Sequence, residues 1–139
     1  MKPIYETYLP PNFNTLNSYL FVEEPEKLIQ FMKDVFNGKE VSRTMDETNT
    51  IIRNVIMQIG NSSLMVSQAS EQFPPMPTAF YLFVENCDEV YKSALSNNAE
   101  SVMKPIDTSY GDRQGGVKDL SGNYWWISTR MVKEPYADK

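Results

Sequence analysis

The chain of 139 residues contains no histidine and one cysteine, Cys87. Without histidine, serine–histidine and cysteine–histidine nucleophilic catalysis are excluded. Zinc sites that use imidazole are excluded with them. A single thiol cannot build a thiolate-rich metal site, so only carboxylate and carbonyl oxygens remain to hold a cation. It also forbids an intrachain disulfide, and a cytoplasmic setting is the simplest expectation. No apolar run reaches the length of a membrane span, and Met1-Lys2-Pro3 opens the chain without a hydrophobic signal core. Basic charge is scarce: 13 Lys and Arg against 18 Asp and Glu leave a net charge of -5. That balance argues against nucleic acid as a partner, because phosphate backbones are held by clustered Lys and Arg. There are only six glycines, and none forms a phosphate-cradling loop of the P-loop or dinucleotide type.

What is present is a repeat. Tyr-Leu-Phe-Val-Glu occurs at residues 19–23 and again at 81–85, an offset of 62. Gly60-Asn61 and Gly122-Asn123 recur at the same offset. Two matches in one register, each in the same local context, point to an internal duplication. A half of about sixty residues is marginal alone, because too little of its surface is buried. The halves are therefore expected to pack together or to pair across a dimer.

The local patterns support two similar modules. In module one, about residues 15–68, residues 15–22 alternate as a strand, with Leu16, Leu20 and Val22 opposite Asn17, Tyr19 and Phe21. Pro25 suits a first helical turn, and Leu28, Ile29, Met32, Val35 and Phe36 fall on one helical face. Gly38 is a suitable stop. Strands are predicted at 39–45, 50–59 and, after the tight Gly60-Asn61 turn, 62–67. Residues 69–77 carry three prolines and form the linker. Module two, about residues 78–130, repeats the order. It has a strand at 78–84, a helix at 87–97 with Val90, Tyr91, Ala94 and Leu95 inward, and strands at 100–106, 109–118 and 124–130. Residues 1–14 read as an arm and the tail from Lys133 as polar. The fold class is α+β, two tandem βαβββ modules with curved mixed sheets.

That architecture resembles the vicinal-oxygen-chelate superfamily of glyoxalases, bleomycin-resistance proteins and dihydroxybiphenyl dioxygenases. The resemblance spans about residues 14–131. Its most specific segment is Tyr110 to Thr129, YGDRQGGVKDLSGNYWWIST, which is similar to the GDR-x-GG-V-x-D-P-x-GN-x-W-x-I-A-T-H pattern of the PhnB-like branch. Leu120 departs from the usual proline, and Arg130 stands where histidine is common. The resemblance implies a pocket on the concave face of each sheet and a homodimer. It also implies metal ligands on the first and last strands of each module, which by the repeat are Asn17, Leu64, Ala79 and Trp126. On the third strand, where relatives carry histidine and glutamate, stand Asn54 and Ile56. None of these six is carboxylate or imidazole, so no metal or other cofactor is expected.

The candidate site follows from strand alternation. The pocket-facing set is Asn17, Tyr19, Phe21, Ile52, Asn54, Ile56, Leu64, Ala79, Tyr81, Phe83, Tyr124, Trp126, Ser128 and Arg130. Aromatic walls with a few polar groups fit a small-molecule pocket, although any single ring on such a stripe more often packs as a second core. The expected ligand-binding residues are Tyr19, Asn54, Tyr81, Tyr110, Arg113, Tyr124, Trp126 and Arg130. Arg130 needs an acidic partner, an anionic ligand or solvent. With Arg113, Asp112 is read first as holding a strand irregularity beside Gly115-Gly116; in an enzyme it is the best single carboxylate for a general base. Cys87, near a helix start, is either a thiol of lowered pKa or an idle one. The preferred function is metal-free binding or sequestration of a small molecule. The alternative is a glyoxalase-like lyase, isomerase or dioxygenase using Asp112 with Tyr110 or Arg113, or a cation held by oxygen ligands.

Overall fold

A computed structural model describes residues 7–136. Among these, no helix is long and apolar enough to cross a membrane. Backbone contacts divide the chain into two compact units. One comprises residues up to Lys33 with Asn37–Met76, the other Asp34–Phe36 with the chain from Pro77 onward.

The first βαβββ module contains β1 (Ser18–Val22), α1 (Pro25–Phe36), β2 (Lys39–Met45), β3 (Ile52–Ile59) and β4 (Ser62–Gln68). The second contains β5 (Ala79–Phe83), α2 (Cys87–Ser96), β6 (Glu100–Asp107), β7 (Asp112–Lys118) and β8 (Tyr124–Arg130). The sheet orders are β1-β4-β3-β2 and β5-β8-β7-β6. In each, the first strand runs parallel to the last and the remaining pairs are antiparallel.

Local chemistry explains the helices. Pro25 sits in the first turn of α1, where its missing N–H costs nothing. Asn37, not Gly38, takes the left-handed conformation that ends the helix, at φ 55°. Gly38 is needed for a different reason: a Cβ there would lie 3.0 Å from the Met32 carbonyl oxygen. Asn86 caps α2 by accepting the Glu89 N–H at 3.1 Å. The residues α2 buries are Cys87, Tyr91 and Ala94. Leu95, expected inward, is exposed, because the buried stripe ends one residue before it.

Strand alternation separates two faces. In the first sheet the buried row is Leu20, Val22, Val55, Met57, Leu64 and Val66. Tyr19, Phe21, Asn54, Ile56, Met65 and Ser67 belong to the opposite, open face, as the pairs Tyr19↔Met65 and Ile56↔Met65 show. In the second sheet Trp125, Ile127 and Val117 are buried. Tyr81, Trp126 and Gly116 share the open face.

This register corrects two sequence expectations. Leu64 does not face the pocket: it pairs with Met57 in the buried row and is 5% exposed. Trp126 pairs with Tyr81, whereas the partner of Tyr19 is Met65, so the last strands repeat at an offset of 61 while the first strands and the Gly-Asn turns repeat at 62. The hairpins differ. Gly60-Asn61 closes directly between Ile59 and Ser62, but five residues separate Lys118 from Tyr124. A slip of one residue turns every side chain to the other face. Asn17, expected on the first strand, precedes β1, and its side chain closes a turn with Asn14 through bonds of 2.9 and 2.6 Å. Ile52 keeps the open-face parity yet is 3% exposed.

Candidate functional site

A buried polar cluster lies at one end of the open face of the second sheet. Asp112 begins β7 opposite Arg130, the last residue of β8. Its carboxylate is 1% exposed. Oδ1 accepts Arg130 Nη1–H at 3.0 Å, and Oδ2 accepts the phenols of Tyr136, at 2.5 Å, and Tyr81. Burial alone would raise the Asp112 pKa, but the bonds from Tyr136, Tyr81 and Arg130 outweigh it and hold the group below its ordinary value. Burial and the neighbouring carboxylate push the Tyr81 phenol well above the usual tyrosine range.

Arg130 is equally committed. Nη1 also donates to the Tyr110 carbonyl at 2.6 Å, Nη2 donates to the Glu134 carbonyl at 2.5 Å, and the guanidinium lies 4.2 Å from the Tyr136 ring centroid. Its acidic partner is thus Asp112, within the chain. Gly111 makes the approach possible. It has φ +94°, and a Cβ there would lie 3.0 Å from Arg130 Nη1.

A polar ladder continues from this cluster. Tyr110 Oη–H donates to Gln114 Oε1 at 2.7 Å, and Gln114 Nε2–H donates to Ser128 Oγ at 2.8 Å. Beside it stands Trp126, whose ring lies across Gly116; a Cβ at that glycine would collide with it. Tyr124 lies at the far end of the strand, with Lys118 Nζ 5.9 Å from its ring centroid. A cleft of about 440 Å³ opens at that far end, lined by Asn98, Glu100 and the Lys118–Gly122 turn. Its lining includes none of the aromatic residues expected to bind a ligand.

The first sheet carries a related but neutral arrangement. Tyr19 Oη is 2.8 Å from Ser67 Oγ and accepts Asn54 Nδ2–H at 3.5 Å. Ser67 in turn donates to the Arg53 carbonyl at 2.5 Å. Tyr19, Phe21 and Phe73 stack in a file, with centroids 4.7 and 5.4 Å apart.

The structure therefore brings Tyr81, Tyr110 and Arg130 together around Asp112 and Gln114, with Trp126 beside Tyr81 across Gly116, and Tyr19 with Asn54 in the other module. Arg113 is not with them. It points to the helix side, where Nε donates to Asp88 Oδ1 at 2.7 Å and Nη1 to Asp107 at 3.2 Å. It ties α2 and β6 to β7, because successive residues of β7 alternate faces. Cys87 has no lowered pKa: burial pushes its thiol up, and Sγ–H donates to the Ile127 carbonyl at 3.2 Å. Tyr136 went unrecognised by sequence, because nothing in a polar tail signals a return to β7. Asp119 owes its place in the Asp-x-x-Gly-Asn-x-Trp segment to structure: it accepts Trp125 Nε1–H at 2.7 Å and the N–H groups of Ser121 and Asn123 at 2.8 and 3.0 Å.

With this geometry in place, the family can be stated. The family model of the Glyoxalase/Bleomycin resistance protein/Dioxygenase superfamily matches residues 13–127. The chain belongs to that superfamily. An uncharacterized protein of Mycobacterium bovis is 24% identical over 135 residues, 89% of this chain and 88% of its own length. The crystal structure of TioX from Micromonospora sp. ML1 matches with a TM-score of 0.71 at 21% identity, covering 86% of this chain and 99% of that one. A PhnB protein from Bacillus cereus matches with a TM-score of 0.68 at 16% identity, covering 84% and 99%. These likenesses establish the shared fold.

The metal that the superfamily implies does not fit these residues. Ala79 and Trp126 offer no side-chain donor, Asn17 is closed on Asn14, and Met65, which truly faces out of β4, offers only a thioether. Asp112 already has both oxygens engaged. Among the described residues, no group of three His, Cys, Asp or Glu side chains is gathered as a metal site.

Proposed function

We propose that this protein binds and sequesters a small ring-containing molecule on the aromatic open faces of its sheets. The observation that carries the reading is the exposure of these rings. Tyr19, Tyr81, Phe83, Tyr124 and Phe73 are between 38% and 54% exposed, whereas the opposite faces are buried in the core. Exposed aromatic faces rimmed by polar groups mark binding surfaces. Gln114, Ser128 and Tyr110 would supply orientation beneath the rings. A homodimer in the cytoplasm belongs to the same reading; the lone, buried Cys87 bears only on the compartment, being compatible with a reducing one.

Catalysis by Asp112 is the weaker reading. A general base needs a free lone pair and a pKa near the working pH. Asp112 accepts three hydrogen bonds, and these hold its pKa below the ordinary carboxylate value.

A native mass spectrum of protein purified without chelator tests the proposal. An organic adduct on a dimer, absent from the Trp126→Ala variant, is expected. One divalent metal per chain that survives desalting would overturn it. A bare protein that also binds no member of a panel of aromatic compounds would overturn it too.

A further inference from the structure

The last described residues fold back onto the site. After β8, the Met131 N–H donates to the Gly111 carbonyl at 2.9 Å, and the Glu134 carbonyl accepts from Arg130. These bonds deliver Tyr136 to the Asp112 end of the open face. Its ring lies over the Arg130 guanidinium, and its hydroxyl donates to Asp112 Oδ2. Yet Tyr136 remains 54% exposed.

Tyr136 is held by features that do not depend on its being part of the chain. A planar ring meets a guanidinium face, which is a cation–π contact. A phenolic O–H meets a buried, ionised carboxylate oxygen, which is a charge-assisted hydrogen bond. Tyr81 contributes a second phenol to the same oxygen. All of these features would receive a free phenol equally well.

We infer that Asp112, Arg130 and Tyr81 form a subsite for a phenolic ring, and that Tyr136 occupies it as an internal competitor. The inference rests on the proposed binding function and narrows its ligand to compounds carrying a phenol. Tethering gives Tyr136 a high effective concentration at the subsite. An external phenol must displace it, and a side chain of a residue already 54% exposed gives up little buried surface when it leaves. The remainder of the ligand would then extend from the subsite along Tyr81 and Trp126.

The test compares the wild-type chain with Tyr136→Ala, using p-cresol and 4-methylanisole as probes and NMR titration as readout. Tyr136 lies outside the strands, so its removal leaves both sheets intact. The variant is expected to bind p-cresol about tenfold more tightly than wild type, with shifts at Gly111 and Arg130. It should also prefer p-cresol over 4-methylanisole by about tenfold, because the ether cannot donate to Asp112. Equal p-cresol affinity in the two proteins, or equal affinity for the two probes, overturns the inference. If the wild-type chain still binds aromatic compounds in a Trp126-dependent way, the broader function survives that result. If neither protein binds any ring compound, both fall.

Discussion

Tyr19 and Tyr81 stand at matching positions of β1 and β5, yet their phenols meet different chemistry. Tyr19 meets Ser67 and Asn54, all neutral. Tyr81 meets Asp112 and, through it, Arg130. Counting from the pairs Tyr19↔Met65↔Ile56 and Tyr81↔Trp126↔Gly116 gives the equivalences. Ser67 matches Ser128, and Asn54 matches Gln114. Ile52 matches Asp112, and Ala69 matches Arg130. The tyrosine–serine–amide set is thus common to both modules. Two positions at one end of the sheet separate a neutral face from a charged one. Duplication preserved the scaffold, and a few side chains at a strand end decide what each copy can recognise.

The same contrast extends to the hairpins, and there the largest effect is expected. The second hairpin is organised by one buried aspartate that accepts bonds from Trp125, Ser121 and Asn123. The first closes on Gly60-Asn61, whose side-chain bond is an exposed one of 3.5 Å from Ser62 to Asn61. Asp119→Ala should cost about 3 kcal/mol of stability, since it orphans several buried donors. Asn61→Ala should cost about 0.5 kcal/mol, as an exposed polar contact does. Urea unfolding measures both, and similar losses would erase the distinction.

Asp112→Asn sharpens the comparison at the site. It leaves Arg130 without its charge partner and should cost about 2 kcal/mol near neutral pH, below the range for fully buried pairs because Arg130 retains some solvent contact. The pH dependence has a definite sign. The folded-state pKa of Asp112 is depressed, so its stabilisation is fully present above the ordinary carboxylate value of about 4. It is lost as pH falls through the lower folded value. The gap between wild type and Asp112→Asn should therefore stay constant above about pH 4 and narrow as the pH falls below it. A constant gap across denaturation curves at successive pH values would show that the carboxylate charge contributes nothing.

The smallest difference comes from the most direct comparison. Tyr81→Phe removes a bond to a carboxylate and should cost about 2 kcal/mol, whereas Tyr19→Phe removes one to a hydroxyl and should cost about 1 kcal/mol. Thermal unfolding of the two variants reads the difference. Equal losses would mean that the charged end of the second sheet stabilises its tyrosine no better than the neutral network does.

The sequence by itself determined the duplicated βαβββ order, the placement of both helices and the aromatic parity of β1, β5 and β8. These depend on local rules: period-two alternation along strands, a proline in a first helical turn, and an asparagine cap. The Tyr-Leu-Phe-Val-Glu repeat located the two first strands directly. Only the tertiary structure decided that Met65 and not Leu64 faces outward, because turn length sets register and one residue reverses a strand. It also decided that Arg113 serves α2 and β6 while Arg130 serves Asp112. Alternation separates their faces, but only chain packing names their partners. Tyr136 illustrates the limit most plainly. It reaches a carboxylate 24 residues away in the chain, and no periodicity or motif specifies such a contact, because it depends on where the completed sheet leaves a charged hydrogen-bond acceptor within reach of the returning chain.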